Sequence, residues 1–286
     1  MAELRHRFEA VVARSAWAVL QALPLDVASA LGSRLLRLIG PRLRAHRIAE
    51  RNLRRAFPDK SDADIATILR GMWDNLGRTL AELPHIGRIV AERVEVVGAE
   101  NVLALRDDGR PGLLFSGHLG NWELSGPTGM REGLAISLFF RAPNNPLVAD
   151  IYARMRAGPW ELLPKGREGA KQALALLKGG AHLGLLVDQK MNDGIPVPFF
   201  GRDAMTAPAL AQLAQRFDCP VIPARVIRKG GAWFRVEYLP PMDLPAAGTD
   251  RHAAIAETME RVNQRLEGWV REYPEQWLWV HRRWPD

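Results

Sequence analysis

The sequence predicts an α/β fold: a layered sandwich with a largely parallel central sheet flanked by helices, plus a helical N-terminal region that associates with a membrane surface. Three observations carry this expectation. From about residue 93, short apolar runs bounded by glycine alternate with helical segments, the pattern of buried strands joined by crossover helices. Residues 1–90 show helical periodicity and no convincing strand. The first 60 residues hold 12 Lys/Arg against 5 Asp/Glu, so the whole formal charge of +7 lies there, a bias that suits an anionic surface. The expected division is a helical membrane-associating region over 1–90 and an α/β domain over 91–286.

Pro24, Gly40-Pro41, Phe57-Pro58 and Leu83-Pro84 punctuate the N-terminal helices, because proline ends a helix or sits in its first turn. Val27, Leu31, Leu35 and Leu38 recur at helical spacing beside Arg34 and Arg37, with Arg42, Arg44 and Arg47 following. Such a helix either covers the protein's own core or lies in a bilayer interface with its arginines at phosphate depth. The uncharged stretch Ser15 to Leu25 is too short to span a bilayer, which needs about 20 apolar residues. Glu3 and Glu9 do not suit a secretory leader. Ser61 followed by Asp64 reads as a capping arrangement that opens a helix running through Gly71 towards Leu83.

In the second region, Val94 to Val97 alternates as a strand and Gly98 ends it; Glu100 to Arg106 is a short helix. Gly112 to Ser116 and Ala135 to Arg141 are strands. A helix over Lys165 to Lys178 leads to a buried strand at Leu183 to Val187. Helix Ala207 to Phe217, strands Val221 to Ile227 and Trp233 to Tyr238, and a long helix from Arg251 to Glu272 complete the series. The single cysteine, Cys219, excludes an internal disulfide framework and a Cys-based zinc site; set before Pro220-Val221-Ile222, it reads as packing.

The stretch that carries chemistry is Ser116-Gly117-His118-Leu119-Gly120-Asn121-Trp122-Glu123. It follows a buried strand, so His118 belongs at a strand's C-terminal end, the edge at which α/β sheets bind ligands. A carboxylate five positions on can reach the imidazole, fix its tautomer and leave the other nitrogen as a base. Gly117 and Gly120 stand where the backbone has to approach something closely. A pair that merely caps a helix is the plainer alternative. A zinc site is the weaker one, since HExxH is absent.

The chain resembles the bacterial lipid A late acyltransferases (the lauroyl/myristoyl acyltransferases), relatives of the glycerophosphate acyltransferases. His118 to Glu123 resembles their first block, an HxxxxE motif with the dyad. Arg141 with Pro143-Asn144-Asn145-Pro146 resembles the second, and Arg156 in the ARMR stretch a downstream functional arginine. Val187-Asp188-Gln189 resembles the third, Pro198 to Gly201 with Thr206 the segment beyond it, and Pro220 to Pro223 the fourth. Arg47 to Pro58 and Pro274 to Trp284 are similar to the N- and C-terminal signatures.

The resemblance implies transfer of an acyl chain from an acyl carrier protein thioester to a hydroxyl of a lipid A precursor, without a cofactor, a metal or a covalent intermediate. It implies His118 as base, Glu123 as its orienting partner, and Arg141, Arg156, Asp188 and Asn121 on the substrates. Backbone amides near Gly120-Asn121 are the expected oxyanion donors, and Trp269, Trp277, Trp279 and Trp284 a candidate interfacial belt. The implied partners are an acidic carrier protein and an anionic membrane surface, with no nucleic acid; the implied place is the cytoplasmic face of the inner membrane, held peripherally or monotopically. Another lysophospholipid or glycolipid acyltransferase, a non-catalytic membrane-surface adaptor and a metal-dependent hydrolase stay open as alternatives.

Overall fold

The computed structural model describes residues 2–140, 145, 147, 149, 162–164, 166–246 and 248–284. Five helices come first: α1 (Ala2–Ala22), α2 (Leu25–Ile39), α3 (Arg44–Ala56), α4 (Asp62–Glu82) and α5 (Ile86–Glu92). The boundaries fall at the proline signals, and α4 starts with a complete capping box in which Ser61 and Asp64 satisfy each other's amides. Then follow β1 (Val94–Val97), α6 (Ala99–Asp107), β2 (Gly112–Ser116), α7 (Ser125–Arg131), β3 (Ile136–Phe140) and β4 (Leu162–Pro164). The chain continues through α8 (Arg167–Lys178), β5 (His182–Leu186), β6 (Lys190–Phe199), β7 (Arg202–Thr206), α9 (Ala209–Phe217), β8 (Val221–Gly230), β9 (Trp233–Tyr238) and α10 (Arg251–Glu272).

Seven strands form one sheet in the order β1-β9-β8-β2-β5-β3-β4, parallel except at the β8–β9 pair. The central strand β2 is buried along its whole length, as its apolar run between glycines predicts. The hairpin β6–β7 stands as a separate antiparallel pair. The sequence does not predict it: Gly194, Pro196 and Pro198 break any strand-like run, and a register shift between Lys190 and Ile195 takes up Gly194, while both prolines pair in register with β7.

The helical region shares a core with the sheet. Leu53, Ile65, Leu69, Met72 and Trp73 from α3 and α4 join the same buried cluster as Phe115, Leu183, Val221 and Trp269. The change near residue 90 is therefore one of element type, and the core runs across it. Trp269, Trp277, Trp279 and Trp284 lie in this core, none more than 4% exposed, so they form no interfacial belt.

Helix α2 is turned against the usual amphipathic rule. Its small residues Ala28, Ser29, Gly32 and Ser33 are buried, and a Cβ on Gly32 would sit 2.2 Å from the Gly77 carbonyl of α4. Its bulky residues Val27, Leu31, Leu35 and Leu38 point outward, each about half exposed or more. Close helix approach through glycine thus displaces the large apolar side chains onto the surface. Phe8, Val11, Val12 and Val19 of α1 are exposed as well. Among the described residues no helix is long and apolar enough to cross a membrane.

Candidate active site

β2 and β5 are parallel neighbours with Ser116 opposite Leu186, and His118 and Asp188 each follow two residues beyond that last pair. The register therefore delivers both side chains to one point at the C-terminal edge of the sheet. His118 Nδ1 lies 2.7 Å from Asp188 Oδ1, while the His118 backbone amide donates to Asp188 Oδ2 at 2.7 Å. Trp277 Nε1 donates to the same Oδ2 at 2.8 Å. Burial alone would raise this carboxyl, but the imidazole beside it and the hydrogen bonds it accepts hold Asp188 well below the usual carboxylate range.

The expectation that Glu123 meets the imidazole nitrogen is corrected here: Asp188 occupies Nδ1. Glu123 sits in a single 3-10 turn, Trp122 to Leu124, and its Oε1 accepts from Trp122 Nε1 at 3.1 Å. It borders a narrow cleft of about 60 Å³ shared with Ser116, Leu138, Phe139 and Leu185. The His118 ring is 11% exposed and stands 5.0 Å from the Trp122 ring and 5.1 Å from that of His281. Its second nitrogen, Nε2, is 3.1 Å from the Gln189 side-chain nitrogen.

The loop between His118 and Asn121 is fixed from two sides. The C-terminal segment pairs with it: Leu278 N donates to the His118 carbonyl and Gly120 N to the Gln276 carbonyl, around an antiparallel Leu119–Trp277 bridge. From α4, Asn75 and Thr79 donate to the Gly120 carbonyl at 2.9 and 3.3 Å. Both glycines in the motif are required by space. A Cβ on Gly117 would press on Leu266 and Asp188, and one on Gly120, which lies at φ +57°, would run into the Val226 carbonyl.

Asn121, expected on a substrate, turns into the interior. It is fully buried and donates to Glu82 Oε2 at 2.9 Å. Glu82 in turn accepts from Arg228 Nη1 at 2.6 Å, Arg228 Nη2 at 3.0 Å and Ser29 at 2.7 Å. Of the amides expected for an oxyanion, that of Gly120 is committed to the Gln276 carbonyl, and the neighbouring amide of Leu119 goes to the Gly117 carbonyl. Arg141 and Arg156 lie outside the described residues. Asn145 of the Pro-Asn-Asn-Pro element is described, and its side chain donates to the His6 carbonyl and to Glu9, holding α1.

Cys219 is buried, and burial pushes its thiol up to about 11, so it offers no thiolate. Among the described residues no group of three or more His, Cys, Asp or Glu converges as a metal site. Gln189, within the third block, and Trp277 and His281, within the C-terminal signature, stand at the site although the motifs give them no role there. Arg283 of the same signature is fully buried and ties Met205 and Thr206 of β7 to Asn263 of α10.

The family model described as bacterial lipid A biosynthesis acyltransferase matches residues 3–286. The lipid A biosynthesis lauroyltransferase of Escherichia coli K12 is 28% identical over 280 residues, covering 93% of this chain and 88% of that protein. The lipid A biosynthesis palmitoleoyltransferase of the same organism is 25% identical over 271 residues, covering 91% and 86%. A solved 1-acyl-sn-glycerophosphate (LPA) acyltransferase from Thermotoga maritima is 15% identical, covers 85% of this chain and 98% of that one, and superposes with a TM-score of 0.39.

Proposed function

Because the chain belongs to the bacterial lipid A biosynthesis acyltransferase family, and is thus an acyltransferase of lipid A synthesis, we propose that it moves a fatty acyl group from an acyl carrier protein thioester to a hydroxyl of a lipid A precursor, with His118 as general base. The observation that carries this reading is the 2.7 Å contact of Asp188 with His118 Nδ1 at the C-terminal edge of the sheet. A carboxylate on Nδ1 keeps the hydrogen there in the neutral ring and leaves the Nε2 lone pair to take a proton.

In the reaction, Nε2 removes the hydroxyl proton as the oxygen attacks the thioester carbon. The carbonyl electron pair moves onto oxygen, and Asp188 stabilises the imidazolium. Collapse of the tetrahedral intermediate breaks the C–S bond, and the imidazolium returns its proton to the leaving thiolate. No covalent enzyme intermediate, metal or cofactor is needed beyond the acyl carrier protein co-substrate. Arg141 and Arg156 are proposed to hold phosphates, for which planar guanidinium groups are suited.

The enzyme is proposed to work at the cytoplasmic face of the inner membrane as a peripheral or monotopic protein. Support comes from the outward-facing row Val27, Leu31, Leu35 and Leu38, with exposed Arg34, Arg37, Arg42, Arg44 and Arg47 beside or after it. Incubating purified protein with acyl carrier protein thioester and lipid A precursor tests the reaction, with mass spectrometry counting added acyl groups. Wild-type protein is expected to add one, and His118→Ala to lose roughly a hundredfold or more in turnover. Near-wild-type turnover by folded His118→Ala would overturn the assignment.

A further inference from the structure

Gln189 follows Asp188 at the exit of β5. Its side-chain nitrogen lies 3.1 Å from His118 Nε2 and 3.4 Å from His281 Nε2. With Asp188 on His118 Nδ1, Nε2 is an acceptor, and the group of a glutamine that suits an acceptor is its NH2. That NH2 has two hydrogens and two imidazole nitrogens in reach. The amide therefore sits where a hydroxyl has to sit in order to hand its proton to Nε2.

Three backbone donors beside the imidazole are already engaged. The His118 amide goes to Asp188, that of Leu119 to the Gly117 carbonyl and that of Gly120 to the Gln276 carbonyl. A tetrahedral intermediate formed beside Nε2 still needs a donor for its oxyanion. The Gln189 NH2, 3.1 Å from Nε2, is a donor that stands at that position.

We propose that Gln189 is a catalytic residue: its amide caps His118 Nε2 in the resting site, yields that place to the acceptor hydroxyl, and then donates to the oxyanion on the thioester carbonyl. His281 acts through it as a positioning residue, keeping the second amide hydrogen while the first changes partner. His281 is itself held by the site, since Asn52 of α3 donates to its carbonyl. Gln189 makes no bond and transfers no proton; the proton passes from hydroxyl to Nε2 to thiolate as before. The inference rests on the acyl-transfer reading of His118.

The test measures steady-state transfer from acyl carrier protein thioester to lipid A precursor by wild-type, Gln189→Leu, Gln189→His, His281→Phe and doubly substituted protein, with melting temperatures recorded alongside. Gln189→Leu is expected to lower kcat by roughly a hundredfold while KM for both substrates changes little. Gln189→His, which keeps an N–H donor, is expected to recover part of the loss. His281→Phe is expected to lower kcat less, and to add nothing in the Gln189→Leu background, as residues acting as one unit do. If Gln189→Leu does not fold, Gln189→Glu removes both donors at equal size and carries the same expectation. A kcat within threefold of wild type, a loss confined to KM, or additive losses at 189 and 281 would each overturn the inference. Failure of the wild-type protein to transfer at all would instead sink the acyl-transfer reading beneath it.

Discussion

At the residue scale, the roles of Asp188 and Glu123 separate by register. His118 was legible in the sequence because a buried run ending in Ser116 places it at a strand exit. Its partner was not, since a carboxylate 70 positions away reaches Nδ1 only through the pairing of Ser116 with Leu186, and that register is a property of the folded sheet. Asp188→Asn is accordingly expected to lower kcat by roughly 10²–10⁴, through loss of the tautomer and of imidazolium stabilisation, and to do so by more than Glu123→Gln. A larger loss in Glu123→Gln would return the orienting role to Glu123. The depressed ionisation of Asp188 also has a stability consequence. A carboxyl lowered on folding stabilises the native state fully above its unfolded value, about 3.9, and loses that contribution as pH falls through the folded value. The stability gap between wild type and Asp188→Asn should therefore be widest near neutral pH and narrow below about pH 4 in urea titrations. A gap that widens on acidification would contradict the assignment. Cys219, buried and pushed up to about 11, should resist iodoacetamide at pH 8 in folded protein, and Cys219→Ala should keep its activity. An acyl adduct on Cys219 would replace direct transfer with a covalent route.

At the element scale, the helices were legible from their prolines and caps, and α10 from its uninterrupted run between Arg251 and Glu272. The hairpin β6–β7 was hidden by Gly194, Pro196 and Pro198, and β4 by its three-residue length. The apolar row on α2 was readable as periodicity, whereas its direction was not, because only the approach of Gly32 to Gly77 decides which face is inside. That approach makes Gly32→Ala a sharp test of packing: its methyl would meet the Gly77 carbonyl, and overpacking of this kind costs typically about 1–3 kcal/mol. Thermal unfolding should show the loss. The outward row and its arginines give the second expectation at this scale. Each basic side chain near an anionic bilayer contributes about 1 kcal/mol, and salt screens it, while buried apolar side chains supply a salt-resistant remainder. Binding to vesicles containing anionic lipid should weaken without vanishing as ionic strength rises. Changing Arg34, Arg37 and Arg42 to glutamate should release much of the protein with the melting temperature preserved. Retention through high salt and alkaline carbonate, with release only by detergent, would mean deeper insertion than this surface supports.

Across the whole molecule, the N-terminal helices and the sheet are joined by a buried polar network centred on Glu82 and Arg228. Glu82 closes α4, and Arg228 lies on β8 with its side chain 6% exposed. Arg228 also donates to Asn75 Oδ1 at 2.8 Å and to Thr79 Oγ1 at 3.1 Å, while Asn121 of the motif loop donates to Glu82. One ion pair thereby holds α2 through Ser29, α4, β8 and the loop that carries His118. Removing one partner of a buried pair strands the other charge without solvent, at a cost of about 3–5 kcal/mol. Glu82→Ala should therefore lower the unfolding free energy by about that amount in guanidinium titrations. Arg228→Met together with Glu82→Leu, which removes both charges, should restore part of it. The shape of the transition matters as much as its midpoint. Since Trp73 of α4 and Trp269 of α10 sit in one buried cluster, tryptophan fluorescence and far-UV circular dichroism should lose signal together, in one step, for wild type and variant alike. Two separated transitions, with the helical signal lost first, would show that residues 1–90 fold independently of the sheet and that the network is a contact between domains instead of the centre of one.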